Sequence, residues 1–247
     1  FGQRGSVHGS YTLGKVTDYG QAGSRINRDH AFDYPDQHEF ELYKAAADWD
    51  IRHRVSIMGL YHLPSPAAAG PLKAIFGDWT LSSALIIQSG MPFMVVNRAA
   101  FNPVRDATGR VTGYRPGSGD FNADGHNYDY PNPPATDFNR KYTNQEYIRG
   151  LFTAADFPLP TPGTQGTLKR HPYWNPGMIN LDAAVIKNIP LDMLGERGKL
   201  QLRFEFFNVT NRVNLRGVDG SLTSGTFGRS TSTYDPRIIQ LGARIMF

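Results

Sequence analysis

The chain has 247 residues, with 26 Gly, 17 Pro, no Cys and a formal net charge of +4. Aromatics at 12% make it too apolar for a disordered chain, and the Gly and Pro content makes it too broken for a helical one. Without Cys there is no disulfide framework, thiolate metal site or cysteine nucleophile; basic residues come in pairs such as Arg140-Lys141 and Lys169-Arg170, which excludes the basic stripe of a nucleic-acid binder.

Period-two alternation marks a strand with two unlike faces. It begins at residues 5–16, where Val7, Gly9, Tyr11 and Leu13 alternate with Ser6, His8, Ser10 and Thr12. A long connection follows at 17–50, carrying Asp29, His30, Asp33, Asp36, His38, Glu39 and Glu41. These residue types could hold a transition metal, but no spacing matches a known site, so the expectation is a solvated acidic loop. The second strand, 51–63, sets Val55, Ile57, Gly59, Tyr61 and Leu63 against Arg52, Arg54, Ser56 and His62. After a short connection at 64–76, the third strand at 77–89 turns Trp79, Leu81, Leu85 and Ile87 away from Thr80, Ser82, Ala84 and Gln88.

The next connection, 90–177, is the longest. Within it Asp120, Asn122 and Asp124, followed by Gly125, match the first half of a calcium loop: oxygen ligands at alternating positions, then a sharp turn. The twelfth position is Pro131 rather than a bidentate Glu, so an Asx-type turn without metal stands beside Ca²⁺ as a reading. Phe121, Tyr128, Tyr130, Phe138, Tyr142 and Tyr147 could stack on a ligand; packing of the loop against itself is the stronger expectation.

Three strands complete the chain. At 179–188, Leu181, Ala183 and Val185 oppose Asp182 and Asn188. After a short turn at 189–198, Leu200, Leu202, Phe204 and Phe206 oppose Gln201, Arg203 and Glu205. After a long loop at 211–236, Ile239, Leu241, Ala243, Ile245 and Phe247 oppose Ile238, Gln240, Gly242, Arg244 and Met246.

The connections run long, short, long, short, long. In an up-and-down antiparallel sheet they alternate between ends, so the three long loops share one rim and the two short turns the other. That is the layout of an outer-membrane β-barrel, and a tilted membrane strand needs about 9–11 residues. Charges in mid-strand (Arg203, Glu205, Arg244) suit a wet lumen, and aromatics near strand ends (Tyr61, Trp79, Phe93, Phe204, Phe206, Phe207, Phe247) suit interfacial girdles. A soluble β-sandwich shares the period-two pattern, so a secreted, calcium-dependent, carbohydrate-directed binding module stays open on pattern alone. Nothing resembles GxSxG, a P-loop or a nucleotide-binding glycine fingerprint, so an enzyme is not expected. Six strands close no barrel, since the smallest have about eight, and the sequence opens on Phe1 with no signal-peptide pattern of its own; the expectation is part of a larger barrel.

The residues themselves resemble a known family. FTAADFPLPTPGTQGTLKRHPYWNPGMINLDAAVIKN, LQLRFEFFNVTNRVN and FGRSTSTYDPRIIQLGARIMF resemble the C-terminal barrel of TonB-dependent receptors, in the group called Oar-like. YTLGKVTD, DIRHRVSIMGLYHLPS and GDWTLSSALIIQSGMPFMVVN fit the same barrel, although Pro172-Tyr173-Trp174-Asn175-Pro176 replaces a more usual Asn- and Gly-rich run. The resemblance implies an all-β, antiparallel up-and-down transmembrane barrel in the bacterial outer membrane. Residues 1–247 would supply about six C-terminal strands with long extracellular loops, the plug and earlier strands lying outside them. It also implies TonB-dependent uptake through the plug, contact with outer-membrane lipid and the barrel-assembly machinery, a monomer in full length and no nucleic-acid partner. On that reading Arg203, Glu205, Gln240 and Arg244 face the lumen and Phe247 is the assembly signal. No cofactor is required beyond the candidate Ca²⁺ at Asp120, Asn122 and Asp124. A passive porin-like channel is the other membrane alternative.

Overall fold

A computed structural model describes residues 4–19, 40–66, 70–97, 103–114, 121, 129–191, 193 and 198–247. In chain order the elements are β1 (Gly5–Leu13), β2 (Thr17–Asp18), α1 (Phe40–Tyr43), β3 (Ala45–Ala46), β4 (His53–His62), α2 (Pro71–Phe76), β5 (Trp79–Gln88) and β6 (Pro92–Phe93). They continue with β7 (Pro103–Arg105), β8 (Val111–Tyr114), α3 (Asn144–Arg149), β9 (Tyr173–Trp174), β10 (Met178–Pro190), β11 (Lys199–Phe207) and β12 (Ile238–Met246). All six strands expected from alternation are present, and they form one sheet in the order β1-β4-β5-β10-β11-β12.

Every pairing in that sheet is antiparallel, and its register is unbroken. One row runs Gly5–Tyr61–Leu81–Val185–Phe204–Leu241 across all six strands; the next runs Ser6–Leu60–Ser82–Ala184–Glu205–Gln240. Because side chains alternate across a strand, the first row lies on the apolar face and the second on the polar one. The apolar face is bare: Leu13, Ile239 and Leu241 are 68%, 60% and 69% exposed. Each such side chain left in water forfeits about 1.5–3 kcal/mol of burial, a loss that a lipid surround removes. The remaining sheets among the described residues are two-stranded ribbons, so a sandwich has no second layer.

The long connections all leave from one rim, beyond Leu13, Gln88 and Phe207; the short ones join His62 to Trp79 and Pro190 to Lys199 at the other. Tyr61, Trp79 and Phe247 gather at the short-turn rim on the apolar face, as a girdle requires. Three expected girdle residues lie elsewhere. Phe93 is buried in the loop core; Phe204 sits mid-strand opposite Val185 and Leu241; and Phe207 falls on the polar-face parity, opposite Ile238. Strand-end position alone cannot separate these cases, because the parity and the loop fold decide them.

One charge sits on the apolar-face parity. Lys187 lies between Trp79 and Leu202 in register, yet it is only 4% exposed. Its ammonium reaches the Gly77 carbonyl at the short-turn rim and lies 5.3 Å from the Trp79 ring centroid. The stem runs along the wall while the head leaves it, the usual accommodation of a lysine near an apolar surface.

Candidate functional site

The polar face brings the expected residues together. Arg203 Nη2 donates to Glu205 Oε1 at 2.6 Å; Glu205 stands opposite Gln240, and Gln201 opposite Arg244. Asp182 joins them at the long-loop rim, where its Oδ1 accepts from Asn180 Nδ2 at 2.9 Å and from the Asn208 backbone N–H at 2.8 Å. Near the other rim Gln201 Nε2 donates to Asn188 Oδ1 at 3.0 Å, and His62 Nδ1 lies 2.8 Å from Thr80 Oγ1. A concavity of about 380 Å³ opens on this face between His8, Met58, Ala84, Asp182, Arg203 and Phe207. Arg203 and Glu205 pair there and Asp182 is held by an amide and a backbone N–H, which suits a wall in contact with water or with a polar partner surface.

The long loops are not loose. Phe93, Val95, Tyr147, Leu151, Phe152, Phe157, Leu168, Tyr173, Leu215, Val218 and Phe227 form one buried cluster, with Phe138, Tyr142 and Leu222 packed against it. The molecule's core therefore lies in the connections rather than on the sheet. Loop 208–237 docks on loop 89–177 through strand-like contacts: Val96 N–H donates to the Gly220 carbonyl and Leu222 N–H to the Val96 carbonyl, both at 2.9 Å. Gly220 permits this approach, since a Cβ there would overlap the Met94 carbonyl oxygen. Asn214 fastens the same loop to β10, accepting from Ile179 N–H at 3.1 Å and donating to its carbonyl at 2.9 Å. Asn208, with φ 49, turns the chain out of β11.

Of the loop aromatics, Phe121, Tyr130 and Tyr147 are buried and Phe138 and Tyr142 are packed on the core, so self-packing is the outcome for these five; Tyr128 lies outside the described residues. Burial pushes the Tyr147 and Tyr173 phenols up to about 12, so both stay neutral, and Tyr147 donates to the Trp174 carbonyl at 3.0 Å. The α3 helix is opened by a reciprocal cap in which Thr143 and Glu146 satisfy each other's end groups. The Thr143 backbone N–H, then Arg140 and the Thr143 hydroxyl, hold the Glu146 carboxyl down to about 2. A depressed carboxyl contributes stability above its ordinary value and loses it as pH falls through the folded one. The protection of α3 amides against hydrogen exchange, measured relative to the intrinsic rate at each pH, should therefore fall as pH drops from above 4.5 toward about 2, and a Glu146→Gln variant should lack that dependence.

Loop 14–52 is tied on by a buried cation. Arg170, 3% exposed, contacts the Asp18 carboxylate and donates through Nε to the Tyr43 carbonyl at 3.1 Å. Beside it His171 Nε2 lies 2.8 Å from Asp48 Oδ1 and Nδ1 lies 2.6 Å from the Ala46 carbonyl, while Gln165 Nε2 donates to Tyr43 Oη at 2.8 Å. Burial lowers the pKa of Arg170, but a guanidinium stays charged. Arg170→Met orphans acceptors that keep some water access, since the side chains of Asp18 and Asp48 are 23% and 31% exposed. The expected loss is about 1–3 kcal/mol, read as a lower thermal midpoint and faster proteolysis of the loop.

Asp120, Asn122 and Asp124 lie outside the described residues, as do Asp29, His30, Asp33, Asp36, His38 and Glu39. Among the described residues no group of three or more His, Asp or Glu side chains is placed to hold a metal ion. Lys187, the Arg170–His171 clasp and the loop core escape a periodicity reading; the Thr143-x-x-Glu146 spacing was the one local signal available.

A family model described as an outer membrane beta barrel domain matches residues 1–240. No curated protein and no solved structure matches the chain.

Proposed function

Since the chain belongs to the outer membrane beta barrel domain family, and so to the bacterial outer membrane, we propose that it is the C-terminal part of a TonB-dependent receptor barrel. The observation that carries this is the open sheet. Among the described residues β1 and β12 each have a strand partner on one side only. An edge in hydrocarbon leaves backbone groups unsatisfied at several kcal/mol each, so further strands must close the wall. The Oar-like resemblance of the stretch from about residue 151 to the end supports a receptor over a simple pore.

On this reading the apolar face meets lipid, and Arg203, Glu205, Gln240 and Arg244 face the lumen and its plug. The long-loop rim is extracellular, and the aromatic-cored loop module walls the vestibule that captures substrate. The TonB complex acts through the plug, Phe247 is read by the assembly machinery, and the full-length protein is a monomer that carries out transport without catalysis or a required cofactor.

Conductance in planar bilayers tests this. The protein as the bacterium makes it should hold a lipid bilayer closed, and its uptake in cells should stop when a protonophore collapses the inner-membrane gradient. Steady ohmic conductance with protonophore-insensitive uptake would identify a passive channel instead.

A further inference from the structure

The connection between β4 and β5 is more than a turn. Its α2 helix carries Leu72, Ile75 and Phe76, which are 61%, 58% and 56% exposed. At helical spacing these three share one stripe about 100° wide. Lys73 lies off that stripe and borders the groove at the short-turn rim, whose lining mixes His62, Thr80, Asn188 and Met246 of polar-face parity with Trp79 and Phe247. Trp79 Nε1 donates to the Ile75 carbonyl at 2.9 Å, and Trp79 belongs to the apolar, lipid-facing parity beside Lys187. The helix is thus tied through its backbone to the rim tryptophan of the lipid-facing band.

We propose that α2 is an interfacial helix, its Leu72–Ile75–Phe76 stripe seated in the phospholipid leaflet on the short-turn side of the outer membrane. The stripe continues the lipid-contacting band of β5 across Trp79, which is what selects lipid as its occupant. The helix is short, so its seat depends on the strands at either end; it acts as an anchor that sets the depth of the barrel's rim. The inference rests on membership of the barrel family and holds for a receptor and a channel alike.

These 247 residues contain no Cys, and any Cys elsewhere in the full-length protein is replaced by Ser so that labelling is confined to one site. Ile75→Cys and Ala74→Cys variants of the protein as the bacterium makes it carry an NBD fluorophore, in vesicles of phosphatidylethanolamine and phosphatidylglycerol. Folding is verified by heat-modifiable gel mobility. The proposal expects blue-shifted emission at position 75, quenched by lipids bearing doxyl groups near the headgroup, and water-like, weakly quenched emission at 74. Water-like emission at both positions overturns it, as does equal lipid quenching at both. Blue-shifted emission at 75 that lipid does not quench also overturns it, because a protein surface would then cover the helix.

Discussion

Phe152→Ala should cost about 3–5 kcal/mol, the range for truncating a fully packed aromatic, and the loss should fall on the loops rather than on the wall. Phe152 is 6% exposed. Its ring centroid lies 5.1 Å from Phe157 and Phe227, 5.3 Å from Tyr173, 5.6 Å from Phe138 and 6.3 Å from Phe93. These partners come from both the 89–177 and the 208–237 loops, so one truncation removes a central part of the apolar contact between them. The cavity left among rigid rings has little to collapse into it, which places the cost toward the upper end. The predicted signature is selective: the loops become open to protease, while the strands keep their folded, heat-modifiable mobility. A variant whose strands unfold together with its loops would show that the loop module and the wall are one cooperative unit.

Leu241→Arg should hinder insertion by about 2–4 kcal/mol, the range for a cation on the lipid face near the bilayer midplane. Leu241 lies in the middle of β12, opposite Phe204, and is 69% exposed, so no neighbouring chain shields the guanidinium. Leu202→Arg, opposite Ala243, should behave alike. Gln201→Arg moves the charge one residue along and onto the other face, beside Asn188 and Arg244, where it should be tolerated. The comparison is read as the folded fraction in phospholipid vesicles against urea. Equal losses at 202 and 201 would mean that the two faces meet the same surroundings.

The wall was legible because one short-range rule governs it. Alternation survives in every strand, so residues such as Leu202 and Arg203 declare their faces without knowledge of their partners, and the register then aligns all six strands on those faces. The loop core obeys no such rule. Phe93, Phe152, Tyr173 and Phe227 are scattered over more than a hundred positions and meet only through tertiary contacts, which leave no period to read. Aromatics near strand ends therefore looked alike, although Trp79 belongs to a girdle and Phe93 to a core. Lys187 was hidden for a related reason: its parity says lipid, while the rim carbonyl and tryptophan that accommodate it lie on a different strand and turn. Of the polar-face residues, the types were readable; the Arg203–Glu205 bond and the Asp182 contact to the end of β11 required the fold.

One face of this sheet meets hydrocarbon and the other does not. Single spin labels placed from Ile238 to Met246, in the protein reconstituted in phospholipid bilayers, test it most directly through their collisions with dissolved oxygen, which concentrates in lipid. Oxygen accessibility should alternate with period two, with maxima at Ile239, Leu241, Ala243 and Ile245 and minima at Gln240, Gly242 and Arg244. A flat profile, or one with its maxima at the even positions, would contradict it.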